Sequence, residues 1–132
     1  MGHRAYQNFD ILTAKGATGV GTTILVEDYR NIMLSFATDG GTDANLTVKF
    51  QGSIATDAPT FSAAQSVSNH WDYIEVIDIE DGALIHGDTG LAVSSTDDYR
   101  LFEVNTNGLK WINAVVTART AGEVTVKAKV FE

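Results

Sequence analysis

Apolar and polar residues alternate with period two along much of this chain. Leu46-Thr47-Val48-Lys49-Phe50-Gln51 and Val124-Thr125-Val126-Lys127-Ala128-Lys129-Val130 show it most clearly. Successive side chains of a strand point to opposite faces, so this pattern buries one face and wets the other. Segments of this kind recur from Phe9 to Phe131, separated by clusters of Gly, Asp, Asn and Ser. They predict strands at Phe9–Ala14, Thr22–Val26, Asn31–Thr38, Ala44–Ser53, Trp71–Ile79, Ala83–Ile85, Tyr99–Val104, Trp111–Ala118 and Glu123–Phe131, with Leu91–Val93 a further short apolar run. No segment has a 3.6-residue period, and no internal repeat is present. The expected fold class is all-β, an antiparallel β-sandwich of jelly-roll or Greek-key type with roughly eight to nine strands.

Turn chemistry refines this picture. Asp39-Gly40-Gly41-Thr42-Asp43 predicts a hairpin between Asn31–Thr38 and Ala44–Ser53, with Leu46, Val48 and Phe50 facing inward. Thr120-Ala121-Gly122 predicts a final hairpin between Trp111–Ala118 and Glu123–Phe131. Residues 54–69 have small and polar residues with isolated Phe61 and Val67, and read as a long crossover loop with one helical turn at Ser62–Gln65. Trp71–Ile79 is apolar in part on both faces, as expected of a central or interface strand. Residues 1–8 read as a polar N-terminal arm, and residues 9–132 as a single sandwich domain.

Composition narrows the function. The 132 residues suffice for one domain with a real core. Nine Lys and Arg against 17 Asp and Glu leave a net charge of −8. Affinity for phosphate backbones comes from basic patches, so neither nucleic acid nor an anionic membrane surface is an expected partner. The chain has no cysteine, which leans toward folding in a reducing cytoplasm. No apolar run approaches the ~20 residues of a membrane-spanning helix. Met1–Tyr6 has no apolar signal-peptide core.

Groups that could carry chemistry are scattered. Glu75, Asp78, Glu80 and Asp81 are close in sequence, as are Asp97 and Asp98, but neither group reads as the paired carboxylates of a glycosidase; turn and strand-edge roles account for them. Asp39, Asp43 and Asn45 lack the donor spacing of a calcium loop. His3, His70 and His86 have no metal-ligand spacing. His86-Gly87-Asp88 has no serine elbow to complete a triad. Gly16–Gly21 lacks the Lys-Ser/Thr ending of a phosphate loop and precedes a strand. No cofactor, metal or catalytic residue is therefore expected. Trp71 and Trp111 could serve as stacking platforms for a glycan or could close the ends of the core.

Four stretches in order, Asp28–Ile32, Val48–Ser53, Asn69–Tyr73 and Glu103–Trp111, resemble small β-sandwich virion proteins of tailed bacteriophages, of the capsid decoration type. The likeness runs over about residues 20–131. It implies a non-enzymatic structural role: a homotrimer on the outer surface of a phage head, with the major capsid protein as partner and the virion as final location after synthesis in the bacterial cytoplasm. The family supplies no motif of functional residues. The residues themselves suggest Gly2, His3, Arg4 and Tyr6 of the arm for capsid binding, and Trp71, Tyr73 and Ile77 for a trimer interface. A head-fibre, tail-tip or baseplate component, and a carbohydrate-binding module, are the alternatives.

Overall fold

The structure, a computed structural model, describes residues 6–39, 44–94, 99–105 and 107–132. Among them are twelve strands in two antiparallel sheets. They are β1 (Tyr6–Lys15), β2 (Gly19–Val20), β3 (Ile24–Leu25), β4 (Asn31–Asp39), β5 (Asn45–Ser53), β6 (Asp72–Ile74), β7 (Val76–Asp78), β8 (Leu84–Ile85), β9 (Leu91–Val93), β10 (Tyr99–Val104), β11 (Trp111–Ala121) and β12 (Glu123–Phe131). The first sheet runs β1-β12-β4-β10-β7-β8. The second runs β2-β11-β5-β6, with β3 also on β11 and β9 also on β5. The all-β sandwich expected from the alternation is the observed fold class.

Each long strand contributes one face to the core. Ile32, Leu34 and Phe36 of β4, Phe102 and Val104 of β10, and the even-numbered residues Val124–Val130 of β12 point inward from the first sheet. Leu46, Val48 and Phe50 of β5 and Ile112, Ala114 and Val116 of β11 meet them from the second. At the centre, Phe102 lies edge-on to Phe36 at a centroid distance of 6.2 Å and tilted against Phe50 at 5.8 Å. Phe50 belongs to the opposite sheet, so this trio ties the two layers together.

Both predicted hairpins are corrected. β4 pairs with β12 and β10, while β5 pairs with β11, β6 and β9. β11 and β12 likewise lie in different sheets. Both connections are arches that step across the sandwich. A hairpin would have placed the paired strands in one sheet; here their apolar faces oppose each other through the core. The β11–β12 corner is a single residue, Gly122, with φ +88°. A Cβ there would lie 2.8 Å from the Ala44 Cβ, so both the backbone conformation and the space favour glycine. The four residues 40–43 of the other predicted turn lie outside the described residues.

The expected strand Trp71–Ile79 is also corrected. It is two short strands in different sheets: Ile74 pairs with Phe50 in the second, and Val76 with Val104 in the first. The chain changes layer at Glu75. That is why the segment has apolar residues on both faces: each half buries the side that faces the core from its own sheet. Two further boundaries differ. β1 runs from Tyr6, so Tyr6–Asn8, read as part of the arm, are paired with β12, while residues 1–5 lie outside the described residues. Within the crossover loop, Ser62–Gln65 is no helical turn; a tight turn closes where the Ala63 N–H donates to the Thr60 carbonyl at 3.1 Å.

Truncating Phe102 removes the ring that joins the two layers and leaves a cavity at the centre of the core. Phe102→Ala should cost about 3–5 kcal/mol of unfolding free energy, read as a lower urea midpoint with an unchanged slope.

Candidate functional surfaces

The outer faces of the two sheets are finished differently. On the second sheet, alternate residues Gln51 and Asn113 point away from the core, yet each is only 1–2% exposed. They are directly opposite each other across β5 and β11. Loops cover both. The Gln51 side-chain amide donates to the Phe61 carbonyl at 3.0 Å, drawing the crossover loop down onto the sheet. The Asn113 amide donates at 3.1 Å to the Gly21 carbonyl and at 3.1 Å to the Thr23 hydroxyl oxygen. These amides replace water with fixed partners, as buried polar groups must. Gln51 Oε1 is the exception: it is buried with no hydrogen-bond partner. An acceptor left so costs about 1–3 kcal/mol.

Asn69 organises the crossover loop. Its amide nitrogen reaches the carbonyls of Thr60 (2.9 Å), Ala64 (3.0 Å) and Ala63 (3.4 Å), and its oxygen accepts from the Thr60 N–H at 2.8 Å. Phe61 is thereby seated in contact with Trp71 (centroids 6.0 Å), and Trp71 stands edge-on to Tyr73 at 5.0 Å. Lys49 caps Tyr73, its ammonium 4.7 Å from the ring centre. The loop read from the sequence at residues 54–69 runs on to Trp71. Its hydrogen bonding was not legible, because it depends on one side chain reaching carbonyls five to nine residues away.

The two tryptophans have internal partners. The Trp71 indole N–H donates to the Ala63 carbonyl at 3.0 Å, and that of Trp111 to the Ala55 carbonyl at 2.9 Å. Both rings are half-buried. This arrangement suits loop anchoring better than an open stacking platform. An apolar groove of about 410 Å³ lies beside Trp71, between Ile54, Ile74 and Leu109.

Of the residues singled out in the sequence, Gly2, His3 and Arg4 lie outside the described residues. Tyr6 opens β1, with Lys129 5.2 Å from its ring centre. Trp71 and Tyr73 are together, but Ile77 is on the first sheet and does not join them. The layer change at Glu75 thus puts Tyr73 and Ile77 in different sheets. Asp43, Asp97 and Asp98 are outside the described residues; among those described, no three His, Cys, Asp or Glu side chains converge on a possible metal site. His86 Nδ1 is 3.5 Å from the Glu75 carboxylate, both exposed.

Asp78 is the acidic residue whose role the sequence did not reveal. It is 2% exposed, its Oδ2 lies 2.6 Å from Arg100 Nη1, and its Oδ1 accepts the Glu80 N–H at 2.9 Å. The pair locks the β7–β8 turn to β10. It was missed because Asp78 alternates with Val76 as a core-facing position, whereas the neighbouring Glu80 and Asp81 are exposed.

No family model matches the sequence, and no curated protein does. Solved structures do match. The crystal structure of the SPBc2 prophage-derived protein YomS aligns with a TM-score of 0.69 at 17% identity, over 100% of this chain and 97% of that one. The PBSX exported protein XepA aligns with a TM-score of 0.68 at 16% identity, over 100% of this chain but only 39% of its own length. At these identities the likeness is one of fold. It spans the whole sandwich described above.

Two outcomes test the local architecture. Asn69→Ala removes four hydrogen bonds from the loop, so amide exchange across residues 54–70 should accelerate, with a global loss of only ~1–2 kcal/mol. Arg100→Ala leaves the Asp78 carboxylate buried without its cation. Because Arg100 is itself one-third exposed, the cost should fall near the low end of the usual range, ~2–3 kcal/mol by chemical denaturation.

Proposed function

We propose that this chain is a non-enzymatic structural component of a bacteriophage, acting through its surfaces rather than through a reacting cleft. The observation that supports it is the end-to-end correspondence of its fold with a prophage-derived protein of nearly the same extent. The distribution of polar groups agrees. The buried amides and the buried ion pair are committed to holding loops and strands, and none is presented to a substrate-sized cleft with a base or nucleophile beside it.

The finer reading is a capsid decoration protein bound to the outer surface of a phage head as a trimer, with the major capsid protein as its partner. The segment before β1 is the proposed contact, through Gly2, His3 and Arg4 together with Tyr6 at the strand's start. Arg and Tyr anchor interfaces well, and three copies in one trimer would bind by avidity. A second reading has a specific observation behind it. The structure described as XepA is named an exported protein, which favours a phage product that acts outside the cell rather than on the head.

Mass spectrometry of purified particles from the phage that encodes the chain would separate them. Stoichiometric amounts in the particle, lost when residues 2–5 are deleted while the thermal melt is unchanged, are the expected result. Abundance in the culture medium with none in the particle would establish the second reading instead.

A further inference from the structure

Loops cover Gln51 and Asn113 on the second sheet, whereas no described loop covers the outer face of the first. The large hydrophobic side chains Tyr6, Leu84, Tyr99 and Leu101 are 41–66% exposed and project from its outer face, and Ile79, just after β7, is 47% exposed; on the other side of the molecule Leu25, Ile54 and Val67 are exposed on β3 and in the crossover loop. Exposed apolar residues scattered singly are unremarkable; this many on one sheet face is the pattern of a surface that another protein covers.

The pairing register orders this face into rows. One row crosses all six strands: Asn8, Lys129, Met33, Glu103, Ile77 and Leu84 stand opposite one another in turn. Its charges are separated by sign. Lys129, with Lys127 two residues earlier on the same face, lies on the β12 side of Met33. Glu103 lies on the β10 side, and its two cross-strand neighbours, Met33 and Ile77, are both apolar. Asp10 stands opposite Lys127 and balances it within the chain. Lys129 has the neutral Asn8 opposite it instead, and its ammonium lies 5.2 Å from the Tyr6 ring centre, with no carboxylate opposite. The row thus carries one positive and one negative position at the same height, on either side of an apolar centre.

We propose that this face is where copies of the chain meet, turned about a rotation axis parallel to the strands, so that Lys129 of one copy reaches Glu103 of the next. Such a rotation keeps residues at their height along the strands. It brings the β12 half of one face against the β10–β7 half of its neighbour, setting opposite charges together around buried Met33, Ile77 and Leu101. An axis perpendicular to the strands and lying along the face would instead set Lys129 against Lys129. Charge complementarity therefore selects both the occupant, a second copy, and the direction of the axis. The contact is isologous, Lys129 meeting Glu103 twice, and closes a two-fold pair. It rests on the exposed face alone and holds whether or not the phage role does.

The test is the mass in solution by size-exclusion chromatography with light scattering, on the full chain and three variants. The wild type should elute as a closed pair of the 14.2 kDa chain, about 28 kDa. Lys129→Glu and Glu103→Lys should each shift it to about 14 kDa, and the double exchange should restore the wild-type mass. Both residues are exposed, so circular dichroism melts should show all four proteins folded. A wild type that remains a 14.2 kDa monomer overturns the proposal. So does an oligomer whose mass neither single variant changes, or a double variant that stays monomeric.

Discussion

The contact of Phe102 with Phe36 and Phe50 is the point on which the rest of the structure depends. One ring from β10 touches a neighbour in its own sheet and a partner from the opposite sheet. Most connections between successive strands also cross between layers: β4 to β5 and β11 to β12 do so, as do β6 to β7 and β8 to β9. The chain therefore gains little from local pairing. Its strands are held by partners distant in sequence, such as β1 with β12 and β5 with β11. Loop closure must be paid before such contacts form, so the central apolar contact has to stabilise an otherwise unconnected set of strands.

With the layers joined, the two outer faces take different roles. On the second sheet, Gln51 and Asn113 exchange exposure to water for bonds to loop carbonyls, and the loops then shield Phe61 and half-bury Trp71. On the first, nothing of this kind overlies Met33, Leu101 or Ile77 among the described residues. The buried amides Gln51 and Asn113 thus serve one outer face, while Tyr99, Leu101 and Leu84 stay exposed on the other. A structural phage role and a copy-to-copy contact are both consistent with that division, and they rest on different observations: one on the fold shared with a prophage-derived protein, the other on the arrangement of charges on a single sheet.

Much of this was legible in the residues. Leu46, Val48 and Phe50 were assigned to the core by alternation alone, and all three are buried. Tyr99–Val104 and Glu123–Phe131 coincide with the strands observed, and the short apolar run Leu91–Val93 is a strand as well. The errors share one cause. Asn31–Thr38 and Ala44–Ser53 were paired because a turn joined them, and Trp71–Ile79 was kept whole because no turn interrupted it. In each case a local signal was taken to specify a partner. The candidate interface residues show the same limit: Trp71, Tyr73 and Ile77 share a period, but the chain changes layer at Glu75, so Tyr73 and Ile77 belong to different sheets.

Alternation records which side of a strand meets water, since that depends only on the period of the pleat and the hydrophobicity of each residue. The sequence by itself thus determined the all-β class, the inward-facing residues and most strand positions. Which strand lies beside which is a different kind of information. Backbone hydrogen bonds are the same whatever the side chain, so pairing was decided only when the two apolar faces closed on each other around Phe102. That closure also decided that Asp78 would be buried against Arg100, that Gln51 would lie beneath a loop, and that Lys129 and Glu103, 26 residues apart in the chain, would share one row of the first sheet.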